Sequence, residues 1–264
     1  MILTKINIKY MITYNFDQKT VIVTGGAKGI GLDTAIKFAK YGANVFILSK
    51  TYYKQLDSTL KSYGDKIKFY QVDVTNSKSV KSSIKDISKK YGKIDILINN
   101  ASIAIEGSLD EINENDWDKV MNTNVKSYFL CTKEVAKGMV EKKYGKIINL
   151  SSIAGRDKSI LLGAAYTTSK AAVIGFTRHI ASELGKHGIN VNCVCPSQTY
   201  TPMLNNIFKN NKGLEEIVKK RNPLGYIAKP EQISEVILFL ASDESNYMNA
   251  VSYTHLTLPT NREV

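Results

Sequence analysis

Cysteine is scarce in this 264-residue chain, which carries only Cys131, Cys193 and Cys195. An odd count without a Cys-x-x-C spacing excludes a disulfide framework or zinc ribbon and fits a reducing, cytoplasmic setting. Cys193 and Cys195 fall in an expected strand and share a face, but they match no redox or metal motif. Histidine is equally sparse: His179 and His187 stand too far from any candidate nucleophile to form a triad, and no metal site is expected. Long apolar runs are also missing, so no membrane span or membrane partner is expected. The opening segment Met1–Phe16 mixes Lys5, Lys9 and Tyr10 with short apolar pairs and lacks the continuous core of a signal peptide. Linkers, low-complexity tracts and tandem repeats are absent as well.

Positive charge is plentiful, with 36 Lys and Arg against 24 Asp and Glu and a formal charge of +12. Such an excess invites a nucleic-acid partner, because basic proteins displace counterions from phosphates. The lysines are instead scattered, as at Lys61, Lys78, Lys89, Lys142, Lys209 and Lys219, with acids between them and no basic run interleaved with aromatics. No nucleic-acid partner is expected. Abundant Asn, Ile and Tyr point to a composition bias, and the charge would still help attract anionic substrates.

Apolar runs at Thr20–Thr24, Asn44–Leu48, Lys68–Val72, Ile94–Asn99, Lys146–Leu150 and Asn190–Val194 alternate with helical patterns. That alternation predicts a single α/β domain, a doubly wound parallel sheet with helices on both faces. Leu32, Ala35, Ile36 and Ala39 give the clearest helical stripe, and Ile233, Val236, Ile237 and Leu240 repeat it late in the chain. The expected boundaries are a loose extension over 1–15, with Met11 as an alternative start, and a catalytic domain over 16–249. Between Thr201 and Pro230 the pattern loosens around Asn205, Asn206, Asn210, Asn211 and Gly213, which reads as a mobile helical insertion over a site.

Two local patterns carry chemistry. The first strand leads into Thr24-Gly25-Gly26-Ala27-Lys28-Gly29-Ile30-Gly31 and then directly into a helix. Glycines there permit a tight turn and bring backbone N–H groups close to a diphosphate, whose charge the helix N-terminus favours. Farther on, Tyr166 and Lys170 lie one helical turn apart, so an ammonium can sit beside a phenol. A neighbouring positive charge favours tyrosinate, which predicts that Tyr166 gives up its proton more easily than a free phenol.

Together with Asn99-Asn100-Ala101, Asn124 and Ser152, these motifs occur in the order and spacing of the short-chain dehydrogenases/reductases, which the chain resembles over about residues 18–248. The resemblance implies a Rossmann-type sheet and an oxidoreductase that moves hydride between a nicotinamide cofactor and a carbonyl or secondary alcohol. Tyr166 would protonate the carbonyl oxygen, and Ser152 would orient it, with Ser151 the competing serine. Lys170 would hold the nicotinamide ribose, and Asn124 would anchor a water relaying protons to Lys170. The cofactor set implied is Thr24, Gly25, Lys28, Gly29, Ile30, Gly31, Asn100 and Ala101 around the phosphates and ribose, and Asp73 and Val74 at the adenine. Tyr166 and Lys170 also contact it, and Pro196, Thr199 and Thr201 hold the carboxamide end. Where NAD-preferring relatives carry an acid after the second strand, this chain has Ser49-Lys50, with Lys28 in the glycine loop. Two cations and a hydroxyl favour NADP(H) over NAD(H), the alternative being that both are ordinary surface lysines.

Four departures from the family pattern stand out. Ser102 replaces a glycine after Asn-Asn-Ala, and Ser197 replaces one after Pro196. The loop from Ser152 to Tyr166 is one residue longer and sets Arg156, Asp157 and Lys158 near the substrate mouth. The text from Val251 to Val264 lacks the expected Thr-Gly turn and Asp-Gly-Gly ending, so residues 250–264 read as a non-native tail and the last strand is expected to be missing. The missing strand would impair an otherwise expected homo-oligomer, a dimer or tetramer. The function expected is NADP(H)-linked reduction of a small carbonyl substrate of 3-oxoacyl-thioester or sugar/polyol type. A catalytically idle nucleotide-binding regulatory or assembly subunit is the alternative.

Overall fold

A computed structural model describes residues 14–159 and 161–254. Seven strands form one parallel sheet: β1 (Thr20–Thr24), β2 (Asn44–Ser49), β3 (Ile67–Gln71), β4 (Ile96–Asn99), β5 (Gly145–Leu150), β6 (Ile189–Cys195) and β7 (Ser252–Thr254). Their order across the sheet is β3-β2-β1-β4-β5-β6-β7. The helices are α1 (Gly29–Lys40), α2 (Leu56–Tyr63), α3 (Ser77–Tyr91), α4 (Glu114–Met121), α5 (Ser127–Lys142), α6 (Ala164–Gly185), α7 (Pro202–Asn210), α8 (Leu214–Arg221) and α9 (Pro230–Ala241).

Period-two alternation along buried strands divides the core between the two faces of the sheet. On β1, Val21 and Val23 join Phe38 of α1 and Ile237 of α9 in one cluster. Ile22, between them, faces Ile84 of α3, Val135 of α5 and Ala181 of α6 in the other. The same split recurs on β2, where Val45 and Ile47 lie on the first face and Phe46 and Leu48 on the second. Side chains buried to this degree each stabilise the fold by about 1.5–3 kcal/mol relative to exposure. The strands are therefore uninterrupted apolar runs, and the loops at their carboxyl ends are free to carry chemistry.

The segment expected to loosen contains two short helices, α7 and α8. Leu204, Ile207, Val218 and Ile227 form a separate apolar cluster there, apart from the main core. At the amino end, residues 1–13 of the expected extension lie outside the described residues. Tyr14, its penultimate member, is buried, stacked on Phe16 and edge-on to Tyr41.

The tail departs from expectation: a seventh strand stands where none is expected. Ser252, Tyr253 and Thr254 are in register with Cys193, Val194 and Cys195. Asn249 and Asn192 guide the chain into that position, accepting from Val191 N at 2.8 Å and Val251 N at 3.1 Å. Strand addition at an edge draws on backbone groups, so it tolerates a sequence that matches no family ending. Residues 255–264 of the tail lie outside the described residues.

Lys146 is buried at the start of β5, with Nζ donating to Asn190 Oδ1 at 2.9 Å and Asn246 Oδ1 at 2.6 Å. Burial pushes its ammonium down from 10.5 to about 8. Between those values the unfolded chain holds a proton that the folded chain has lost, so this group's contribution to stability rises with pH there. Urea titrations of wild type and Lys146→Met should show the wild type gaining on the variant from about pH 8 to 10. A pH-independent gap would contradict this.

Candidate active site

Strand order reverses between β1 and β4, and the loops leaving their carboxyl ends part at that point to open a cleft. A compact hydrogen-bond latch holds its floor. Thr24 Oγ1 accepts from Asn100 N at 3.0 Å and Ala101 N at 3.1 Å, and Asn100 Nδ2 donates to Thr24 O at 2.9 Å and Gly25 O at 3.1 Å. The latch requires backbone within reach of side chains: a Cβ on Gly31 would stand 2.5 Å from Asn100 Nδ2 and 2.7 Å from Gly25 O. Gly25 and Gly29 also take left-handed φ values of +63° and +57°, which glycine adopts without strain. No acidic side chain occupies the first turn of α1, so its N-terminal N–H groups remain suited to an anion.

The second half of the cleft is built on β5 and α6. Ser152 follows β5; its Oγ accepts from Ala154 N at 3.1 Å, and the hydroxyl favours the ionised form of Tyr166. Ser151, the competing serine, also lines the cleft, but its Oγ is engaged, donating to Lys170 O at 2.6 Å. Lys170 is buried, and its Nζ donates to Leu150 O at 2.9 Å while lying 5.6 Å from the Tyr166 ring centre. Burial pushes Lys170 down to about 8 and Tyr166 up to about 12, the Ser152 hydrogen bond opposing the latter. The net shift of Tyr166 is therefore opposite to the expected easing, with desolvation its largest cause. The Lys170 ammonium donates to the Leu150 carbonyl.

Asn124 sits in a π-helical turn, Asn122–Lys126, between α4 and α5. Its Nδ2 donates to Ile103 O at 2.9 Å and Ser169 Oγ at 3.0 Å, and its Oδ1 accepts from Ile103 N at 2.9 Å. Both amide donors are thus spent bracing the loop after β4 against α6. Asn99 is also internal, bonding Thr132 at 3.1 Å and Asn149 at 2.8 Å.

The cleft encloses about 740 Å³. Its wall includes Gly25, Lys28, Gly29 and Ile30 from the glycine loop, and Ser49, Lys50, Asp73 and Val74 beyond β2 and β3. Asn100 and Ala101 line its centre with Ser152, Tyr166 and Lys170, and Pro196, Thr199 and Thr201 close the far side. Thr24, Gly31 and Asn124 do not line the cleft; they stand behind residues that do. Lys50 pairs with Asp73 at 2.9 Å, and Lys28 lies 4.7 Å from the Tyr53 ring centre. Burial acts to raise the Asp73 carboxyl, but hydrogen bonds from Lys50 and Thr75 overcome it and hold the group low. The Ser102 and Ser197 replacements cost no left-handed backbone, since positive φ among non-glycine residues falls only at Gln18, Lys143 and Ala250 of the described residues.

Several supporting residues escape motif reading. Ser169 links Asn124 to α6 and donates to Tyr166 O at 2.7 Å. Gly155 lies where a 3₁₀ turn, Ile153–Gly155, meets α6; a Cβ there would approach Lys170 C to 2.5 Å and Lys170 O to 2.6 Å. The sequence signal was a glycine three residues after Ser152. Gly155→Ala should lower stability by about 1–3 kcal/mol, because backbone crowds both sides of the contact. A thermal scan should show Tm falling by roughly 2–4 °C per kcal/mol; an unchanged Tm would show that the contact yields freely.

The short chain dehydrogenase family model matches residues 19–212. Among curated proteins, the 3-oxoacyl-[acyl-carrier-protein] reductase FabG of Thermotoga maritima is 38% identical over 238 residues, covering 88% of this chain and 94% of the relative. The (2S)-[(R)-hydroxy(phenyl)methyl]succinyl-CoA dehydrogenase subunit BbsD of Thauera aromatica is 35% identical over 238 residues, covering 88% and 92%. The crystal structure of gox2181 superposes with a TM-score of 0.86 at 29% identity, covering 91% of this chain and 95% of that one. With the glycine loop, the β1/β4 cleft and the Ser152, Tyr166 and Lys170 cluster in one fold, the chain belongs to the short-chain dehydrogenase/reductase family, oxidoreductases that act on CH–OH and C=O groups.

Proposed function

We propose that this protein is an NADP(H)-dependent reductase of 3-oxoacyl thioesters, with Tyr166 as the proton donor. The observation that carries the thioester reading over the sugar one is the apolar wall beside Tyr166. Leu161, Leu162, Leu204 and Ile207 line the cleft and offer a polyhydroxylated substrate no hydrogen bonds. Two of the relatives named above, the FabG and BbsD proteins, carry acyl thioesters in their names.

The donor set fits the cofactor. The α1 N-terminus and glycine loop suit a diphosphate, Asp73 and Val74 would meet the adenine, and Pro196, Thr199 and Thr201 the carboxamide end. Ser49, Lys28 and Lys50 would take a 2′-phosphate, for which Lys50 must exchange its Asp73 partner. When bound, the nicotinamide supplies the hydride. The chain's own residues handle the oxygen: Ser152 orients it by a hydrogen bond, and Tyr166 transfers its hydroxyl proton to it. Lys170 lies one helical turn away, with Nζ 5.6 Å from the Tyr166 ring centre, where its positive charge would favour the tyrosinate left behind against the opposing burial. Asn124 and Ser169 keep α6 in place.

Tyr166→Phe should lower turnover of NADPH with a 3-oxoacyl thioester by at least about 100-fold, while NADPH affinity by fluorescence titration stays within a few-fold. Full turnover by this variant would remove Tyr166 as the acid. Lys50→Asp sets a second carboxylate beside Asp73 and should weaken NADPH binding by about tenfold or more relative to NADH. Unchanged affinity ratios would assign the 2′-phosphate elsewhere.

A further inference from the structure

Besides Lys170, the cleft wall carries four cations, and the cofactor reading uses only Lys28 and Lys50. Lys28 and Lys50 stand over the β1–β3 half of the sheet. The same wall also includes Lys158 and Arg221. These two come from different elements, the loop after β5 and the last residue of α8. The small apolar cluster brings those elements together. Val218, one turn before Arg221, is buried in it, and Leu161 and Leu162, just after Lys158, pack against it. Asn222 fixes the exit of α8, with Nδ2 donating to Tyr226 O at 2.6 Å and Oδ1 accepting from Leu224 N at 3.0 Å.

Neither cation is engaged in an ion pair among the described residues, whereas Lys50, Lys142 and Lys219 all are. Asp157 also lines the wall, and it too is unpaired among them. The wall thus combines these cations with an apolar stretch made by Leu161, Leu162, Met203, Leu204 and Ile207. A guanidinium offers a planar fork of donors matched to a carboxylate or phosphate, and an ammonium beside it adds a point charge.

Resting on the reductase reading above, we infer that Lys158 and Arg221 form an anion subsite. It selects substrates whose reducible carbonyl is joined through an apolar segment to a fixed negative charge. That charge is either a carboxylate on the acyl chain or a phosphate of the thioester's carrier.

Three matched substrates separate the sources: a 3-oxoacyl N-acetylcysteamine thioester, the same thioester with a terminal carboxylate, and the corresponding coenzyme A thioester. At low ionic strength kcat/KM should favour at least one anionic form over the neutral one by about tenfold, mainly through KM. In Lys158→Gln/Arg221→Gln that preference should collapse towards one, and Arg221→Lys should restore part of it. An advantage confined to the carboxylate assigns the cations to the acyl end, and one confined to the coenzyme A thioester assigns them to carrier phosphates. Equal kcat/KM for all three substrates, or a preference that survives the double variant, overturns the subsite while leaving the reductase intact. If none of the three is reduced while a sugar ketone is, the thioester reading itself falls, and the subsite with it.

Discussion

A threonine hydroxyl and an asparagine amide close the point on which the molecule turns. Strand order reverses between β1 and β4, and there the backbone N–H groups of Asn100 and Ala101 run out of strand partners. Thr24 Oγ1 accepts from both, and Asn100 returns two bonds to the carbonyls of Thr24 and Gly25. Leaving those groups unpaired would cost about 1–3 kcal/mol each. The latch also fixes the glycine loop against β4, which sets where α1 begins. Everything that lines the cleft is placed relative to that junction.

The reactive side of the cleft shows burial winning over charge pairing. Tyr166 and Lys170 are neighbours, yet desolvation moves their proton affinities in opposite directions, to about 12 and about 8. Burial thus favours the neutral phenol of Tyr166 and works against the ammonium of Lys170. Leu150 O holds the ammonium, and Ser151 anchors the same residue's carbonyl, so α6 is clamped to the end of β5 through Lys170 at both ends. Two adjacent serines thereby differ: Ser151 braces the helix, and Ser152 caps the 3₁₀ turn that follows, accepting from Ala154 N.

Much of this was legible in the sequence because it is local. The glycine loop, the strand runs and the Tyr166/Lys170 turn depend on spacings of a few residues, and all six expected strands fall within two residues of their observed bounds. The supporting contacts were less legible, because their partners are far apart in the chain. Asn124 meets Ile103 and Ser169, and Gly155 meets Lys170. The seventh strand was misread because its pairing comes from the backbone and two asparagine side chains, not from an apolar pattern.

The sequence by itself determined the doubly wound sheet, the phosphate-type loop and the helical turn that pairs a phenol with an ammonium, since periodicity and glycine conformation act over short range. Only the tertiary structure decided that Ser151 is tied to the Lys170 carbonyl and that burial raises the tyrosine proton affinity. It also brought Lys158 and Arg221, 63 positions apart in the chain, to one wall. Desolvation and convergence of distant elements are properties of the packed fold, and no spacing along the chain encodes them.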